Sequence, residues 1–274
     1  MEHLAITPRP PLQPHIICLY ISYLQSLGLK YSTIRGYISA ITFICKMSNN
    51  DDPAADSRVT KTLHGLRNLE RSIKSANKLL PITKPRLHAL LEAIPFCLAT
   101  PYQRKLFKAI FLLSYYALLR VGEAVYASRK THTVTISQLR KNQQDYKITL
   151  TSYKHSNARE DPVVTLSLEK THDQHCPVEA INQYLQVRPR GDGPLFCDQQ
   201  GNPVTRQHFV DVLKPCLSMC GLPVERYNTH SFRIGRATQL ASENHSDDYI
   251  RRVGRWGSNA FLKYIRAPHI SLSK

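Results

Sequence analysis

Acidic residues are scarce in this chain: 20 Asp and Glu stand against 37 Lys and Arg, giving a formal net charge of +17 and a sequence pI near 9.7. That imbalance disfavours an enzyme of small neutral metabolites and points to a polyanionic partner. Clustered Lys and Arg gain free energy by displacing the counterions condensed on nucleic-acid phosphates. Also missing is any run of about 18 apolar residues, which leaves no candidate membrane span. The opening MEHLAITPRPPLQ lacks the basic-then-apolar pattern of a secretory leader, so an intracellular protein is expected. The seven cysteines are odd in number and scattered, with no CxxC pair. This argues against a disulfide frame, and neither Cys216 with Cys220 nor His172, His175 and Cys176 has the spacing of a zinc site, so no metal is expected. There is no internal repeat and no low-complexity segment.

What is present is a 274-residue chain that is 42% hydrophobic, enough to bury a core in one large domain or two ordinary ones. The first part reads as three helices. Ile16, Ile17, Tyr20, Tyr23, Leu24 and Leu27 recur at helical spacing, with Gly28 as the stop. From Ser32 and Thr33 a second helix places Ile34, Tyr37, Ile38, Ile41 and Ile44 on one face. A third, from about Ser57, turns Val59, Leu63, Leu66 and Ile73 inward while Arg58, Lys61, Arg67, Arg71, Lys74 and Lys78 project, opposed only by Glu70. So lopsided a face is more than a solvated surface laced with salt bridges, and it predicts contact with phosphates. Arg35 and Lys46 on the second helix are candidates for the same role.

KLLPITKP carries two prolines and no helical period, so residues 1–78 are expected to form one helical domain, 79–85 a linker and 86–274 a second domain. In the second, Leu87, Leu90, Leu91 and Ile94 mark a helix, and Thr100, Pro101 and Gln103 open a long apolar helix through Ala117. TVTIS, YKITLTSY and PVVTLSL are rich in β-branched residues and predict short strands. Helical patterning returns near Val178 to Val187, near Phe209 to Leu217 and towards the C-terminus. The predicted fold class is mainly α with a small antiparallel β-sheet (α+β).

Four segments could carry chemistry. Arg120 follows the apolar run FLLSYYALL, with Glu123 three residues on to orient it. Lys154 opens the turn KHSNARED after a predicted strand. His230 and Arg233, three apart, share a helical face and can converge on one anion. In GRWGSNAFLKYIR, Gly254 and Gly257 bracket Trp256, the only tryptophan, and Tyr264 lies on a following helical stretch. Each has an ordinary explanation when taken alone. Buried Arg–carboxylate pairs are common, hairpin lysines protect edges, HxxR arises by chance and tyrosines pack in cores.

Taken together and in this order, the segments resemble the tyrosine recombinase family. Its pattern of Arg, hairpin Lys, HxxR, His or Trp, and Tyr nucleophile is met by Arg120, Lys154, His230 with Arg233, Trp256 and Tyr264. Trp256 stands where many bacterial members carry His. The wording HSFRIGRATQLA followed by GRWGSNAFLKYIR is similar to recombinases of eukaryotic DIRS and Ngaro-type mobile elements, with Cryptons the near alternative. The resemblance implies a core-binding domain over residues 1–78 and a catalytic domain over 86–274. It further implies strand cleavage and rejoining through a 3′-phosphotyrosyl link without cofactor or metal, double-stranded DNA as partner, a homotetramer on two DNA sites, and a nuclear location. A catalytically silent DNA-binding relative and a type IB topoisomerase are the rival readings.

Overall fold

The chain divides between Lys78 and Leu79 into two compact units. The structure, a computed structural model, describes residues 12–74, 79–128, 133–151, 164–171 and 173–266.

The first unit contains three α-helices among its described residues: α1 (Pro14–Ser26), α2 (Tyr31–Met47) and α3 (Ser57–Lys74). Pro14 suits the first turn of α1, where an amide donor has no partner to lose, and Gly28 follows the helix at a φ of 74°. Ile17, Ile21, Leu24, Ile34, Ile38, Val59 and Leu66 interlock as the core. The inward face of α2 differs from the expected one. It runs through Ile34, Ile38, Ile41 and Cys45, whereas Tyr37 and Ile44 are 47% and 62% exposed. The apolar stripe on α2 was wide enough to fit two faces, and packing against α1 and α3 selected one.

The second unit is a mainly helical body with one small sheet. Its helices are α4 (Lys84–Cys97), α5 (Pro101–Tyr116), the single turn α6 (Val121–Ala124), α7 (Pro177–Leu185), α8 (Arg206–Met219), α9 (Ser231–Ser242) and α10 (Asp247–Gly254). Helix α5 is capped by the Thr100 hydroxyl, which accepts from the Gln103 amide at 3.2 Å. Its centre is buried from Leu106 to Tyr115, apart from Lys108, and forms the spine of the core. The expected linker is not a free connector. The amides of Leu80 and Ile82 donate to the carbonyls of Arg226 and Ser231 at 2.8 and 3.0 Å, and Ile82 is fully buried. Lys84 and Pro85 already belong to α4. Gly235 on α9 permits this docking, because a Cβ there would overlap the Ile82 carbonyl.

Strands β1 (Leu139–Asn142), β2 (Asp145–Leu150) and β3 (Val164–Leu168) pair antiparallel in that order, with Leu139 opposite Ile148 and Ile148 opposite Leu166. Tyr146, Ile148, Leu150, Leu166 and Leu168 alternate into the core. TVTIS is not a regular strand. Thr135 makes one bridge to Pro194, and the chain then turns through Ile136–Gln138, closed by the Gln138 side chain accepting from the Thr135 amide at 2.9 Å. The strand actually used, LRKN, is a polar edge that carries little β signal. Among the described residues no helix is long and apolar enough to cross a membrane, and no group of His, Cys, Asp or Glu could hold a metal ion.

Candidate active site

The end of α5 sets the first element. After Tyr116 the chain passes through Leu118, buried at a φ of 48°, a left-handed conformation uncommon for a bulky residue. This turn leaves Arg120 as the N-cap of α6. Glu123 then folds back, its carboxylate accepting from the Arg120 amide at 2.8 Å and from the Arg120 guanidinium at 2.9 Å. Arg120 is held from two sides, since its Nη2 also donates to the Arg255 carbonyl at 3.1 Å.

The HxxR segment forms the start of α9. The Asn228 side chain accepts from the His230 amide at 2.8 Å, and His230 immediately precedes the helix, its ring making no capping hydrogen bond. One turn on, Arg233 is 1% exposed. Its guanidinium donates to the carbonyls of Leu118 and Gly254. Its Cζ lies 4.1 Å from the centre of the Trp256 ring and 5.7 Å from that of Tyr264, so the indole serves as a stacking floor for the cation.

Trp256 and Tyr264 are brought in by the segment after α10. Tyr264 follows a short 3₁₀ turn, Asn259–Lys263, and not the regular helix expected from its sequence. Its phenolic oxygen is 2.7 Å from His230 Nε2, hydrogen-bonded, and its ring lies 5.0 Å from Trp256. Leu118, Ala237, Leu240, Ile250, Trp256 and Phe261 form a small apolar cluster beneath it, with Tyr264 packed against the edge.

Five of the six residues singled out by sequence thus meet around one centre: Arg120, His230, Arg233, Trp256 and Tyr264. Lys154 lies outside the described residues. Sequence reasoning missed Arg255, whose side chain is almost wholly buried. It donates to Glu123 at 2.6 Å and to the carbonyls of Leu118 and Val253 at 3.0 and 3.1 Å. A cation beside the sole tryptophan between two glycines was the available signal.

Three guanidiniums therefore crowd one carboxylate. Burial alone would raise the Glu123 carboxyl, but Arg255 and then Arg120 overcome it and hold it below the ordinary value. Burial, followed by repulsion from Arg255 and Arg120, pushes the Arg233 guanidinium down from its ordinary value. Arginine nonetheless stays protonated, so among the described residues three guanidiniums face one carboxylate, a balance that favours a bound oxyanion. A phenol beside an imidazole and two fixed guanidiniums is an arrangement able to attack a tetrahedral phosphorus centre.

The exposed cations of the first unit differ among themselves. Arg58 is engaged by Asp56 through two contacts of 2.9 Å, and Lys46 pairs with Asp52 at 3.2 Å. Arg35, Lys61 and Arg67 are exposed and have no ion pair among the described residues. The side chains of Arg71 and Lys74 lie outside the described set.

No protein-family model matches the chain, and no curated protein matches it. Solved structures do. The XerH site-specific recombinase bound to palindromic difH substrate, a post-cleavage complex, is 18% identical with a TM-score of 0.68, covering 94% of this chain and 67% of that one. The Tn1549 transposon integrase in complex with circular intermediate DNA is 14% identical with a TM-score of 0.63, covering 96% and 84%. A lambda integrase dimer bound to a core site is 12% identical with a TM-score of 0.63, covering 98% and 68%. The structural neighbours are tyrosine recombinases and integrases, and the chain shares their fold.

Proposed function

We propose that the chain is a site-specific DNA recombinase that cuts and rejoins strands through a 3′-phosphotyrosyl intermediate. The observation that carries this reading is the 2.7 Å contact between His230 Nε2 and the Tyr264 hydroxyl, beside the buried guanidinium of Arg233. The tyrosine oxygen attacks the scissile phosphorus and the bond to the 5′ oxygen breaks. His230 takes the phenol proton, and Lys154 supplies one to the departing 5′ oxygen. Attack builds charge on the non-bridging oxygens, and Arg120 and Arg233 stabilise it as preorganised donors. The phosphotyrosyl bond conserves the energy of the broken one, so a second strand's 5′ hydroxyl reverses the step without a cofactor.

The +17 charge supports duplex DNA as the partner, with Arg35, Lys61 and Arg67 of the first unit contributing backbone contacts. Exchange between two duplexes calls for several copies, and a tetramer assembled on two sites is the expected form. The similarity of the last fifty residues to DIRS, Ngaro and Crypton recombinases favours a mobile-element source and action in the nucleus.

The test is a nicked suicide substrate carrying randomised duplex sequence. The wild-type chain should become covalently attached to DNA and enrich a preferred site. Tyr264→Phe should form no adduct while binding the selected duplex within about twofold, because only one hydroxyl is removed from a surface held mainly by charge. An equally abundant adduct in Tyr264→Phe would refute the proposal. Relaxation of a supercoiled plasmid that lacks the selected site would favour a topoisomerase instead.

A further inference from the structure

The two guanidiniums that would bind phosphate are not held by unrelated parts of the protein. Arg233 donates to the carbonyl of Gly254, Arg120 donates to the carbonyl of Arg255, and the ring of Trp256 lies under Arg233. Three consecutive residues therefore touch both cations.

Arg255 makes this possible. It adopts the left-handed conformation, φ 54° and ψ 50°, at the C-cap of α10. Glycine is usual there, because an L side chain crowds the following carbonyl in this conformation. Here the glycine is instead one residue earlier: a Cβ on Gly254 would overlap the Trp256 ring. The left-handed turn presents the 254 and 255 carbonyls to different guanidiniums. It also sends the Arg255 side chain inward to Glu123 Oε2 at 2.6 Å, while Glu123 Oε1 accepts from Arg120 at 2.9 Å. One carboxylate is shared by two arginines, of which only Arg120 retains solvent access, its side chain 20% exposed against 1% for Arg255.

We infer that Arg255 is a positioning residue: acting through Glu123 and through its own carbonyl, it fixes the orientation of Arg120 and ties it to the segment that carries Trp256. This rests on the recombinase reading for its catalytic consequence, not for its geometry. A bare structural role is the competing account, but a buried ion pair contributes little net stability once both charges have been desolvated. A left-handed non-glycine residue that spends its side chain on the partner of a candidate phosphate ligand is better explained by preorganisation.

The decisive variant is Arg255→Gly, which keeps the backbone conformation and removes the side chain. Two readouts are needed. With ¹⁵N-labelled arginine, the Arg120 guanidinium of the wild-type protein, assigned by its loss in Arg120→Lys, should show slowed rotation and slow proton exchange. In Arg255→Gly, which keeps the 255 carbonyl but leaves Glu123 without its second arginine, rotation and proton exchange should both be measurably faster. On the suicide substrate at saturating DNA, cleavage should fall about 100-fold, as for misplacement of a reacting group by about an ångström, with DNA affinity held within about threefold. Glu123→Gln combined with Arg255→Gly should be no slower than the worse single variant, because both act on the same guanidinium.

Arg255→Lys guards against a misfolded glycine variant. It retains the charge but not the fork, so it should recover part of the cleavage rate and part of the Arg120 ordering. Unchanged Arg120 signals in both variants, or cleavage within twofold of wild type, would overturn the inference. If the wild-type protein forms no adduct at all, the recombinase reading fails, and the Arg120 signals alone decide the positioning role.

Discussion

The two units treat positive charge in opposite ways. In the first, Arg35, Lys61 and Arg67 sit in solvent on helices whose cores are wholly apolar. In the second, Arg233 and Arg255 are buried and aimed by backbone carbonyls, a carboxylate and an indole. Exposed cations attract any polyanion and can be exchanged for one another at small cost. Buried ones are expensive to desolvate, and are worth keeping only where one orientation matters. The difference separates a surface suited to affinity from a site suited to chemistry.

Breaking the buried side should give the largest effect. Arg233→Ala removes a guanidinium that pins both Leu118 and Gly254, and it should lower cleavage at saturating DNA by about 10²–10³-fold, as loss of one oxyanion donor does. It should also lower the melting temperature by several degrees, read by calorimetry, because the buried Gly254 carbonyl loses its guanidinium donor and the Leu118 carbonyl is left with Arg255 alone. Loss of DNA affinity without loss of cleavage rate would reverse the contrast between the units.

Next comes Glu123→Gln. The Glu123 carboxyl is held below its ordinary value of 4.5, so its ionised form contributes stability above that pH, and this contribution is lost as pH falls through the folded value. The wild-type advantage over Glu123→Gln, measured by urea unfolding, should be constant from pH 8 to pH 5 and shrink on further acidification. A gap that widens in acid would contradict the assigned sign.

The smallest effects belong to the first unit. Lys61→Ala and Arg67→Ala should each weaken DNA binding a few-fold across unrelated sequences, and each should reduce the slope of log affinity against log salt by about one. Arg58→Ala should do less, because Asp56 already engages that guanidinium. Equal effects at all three positions would show that the ion pair opens on DNA.

How far the sequence could be read follows from the same physics. Long apolar periods such as α5, and the three helices of the first unit, announce themselves because burial repeats every three or four residues. The fold class, mainly α with a small antiparallel sheet, followed from those periods and from YKITLTSY and PVVTLSL. The strand LRKN was hidden because its partners supply the hydrophobic face. The HSFR and GRWGSNAFLKY segments were visible as candidates, since unusual residue types stand there at helical or turn spacing. Arg255 was not, because its left-handed backbone and its bond to Glu123, 132 residues away in sequence, depend on tertiary packing. TVTIS shows the converse: β-branched composition was read as a strand where a single bridge and a 3₁₀ turn are found.

The central claim is that one phenol in this site becomes esterified to a DNA phosphate. The direct measurement is digestion of the suicide-substrate adduct with protease and nuclease, followed by mass spectrometry of the nucleotide-bearing peptide. A single modified residue is expected, Tyr264, joined through a 3′ phosphate. Attachment at any other residue, or through a 5′ phosphate, would contradict it.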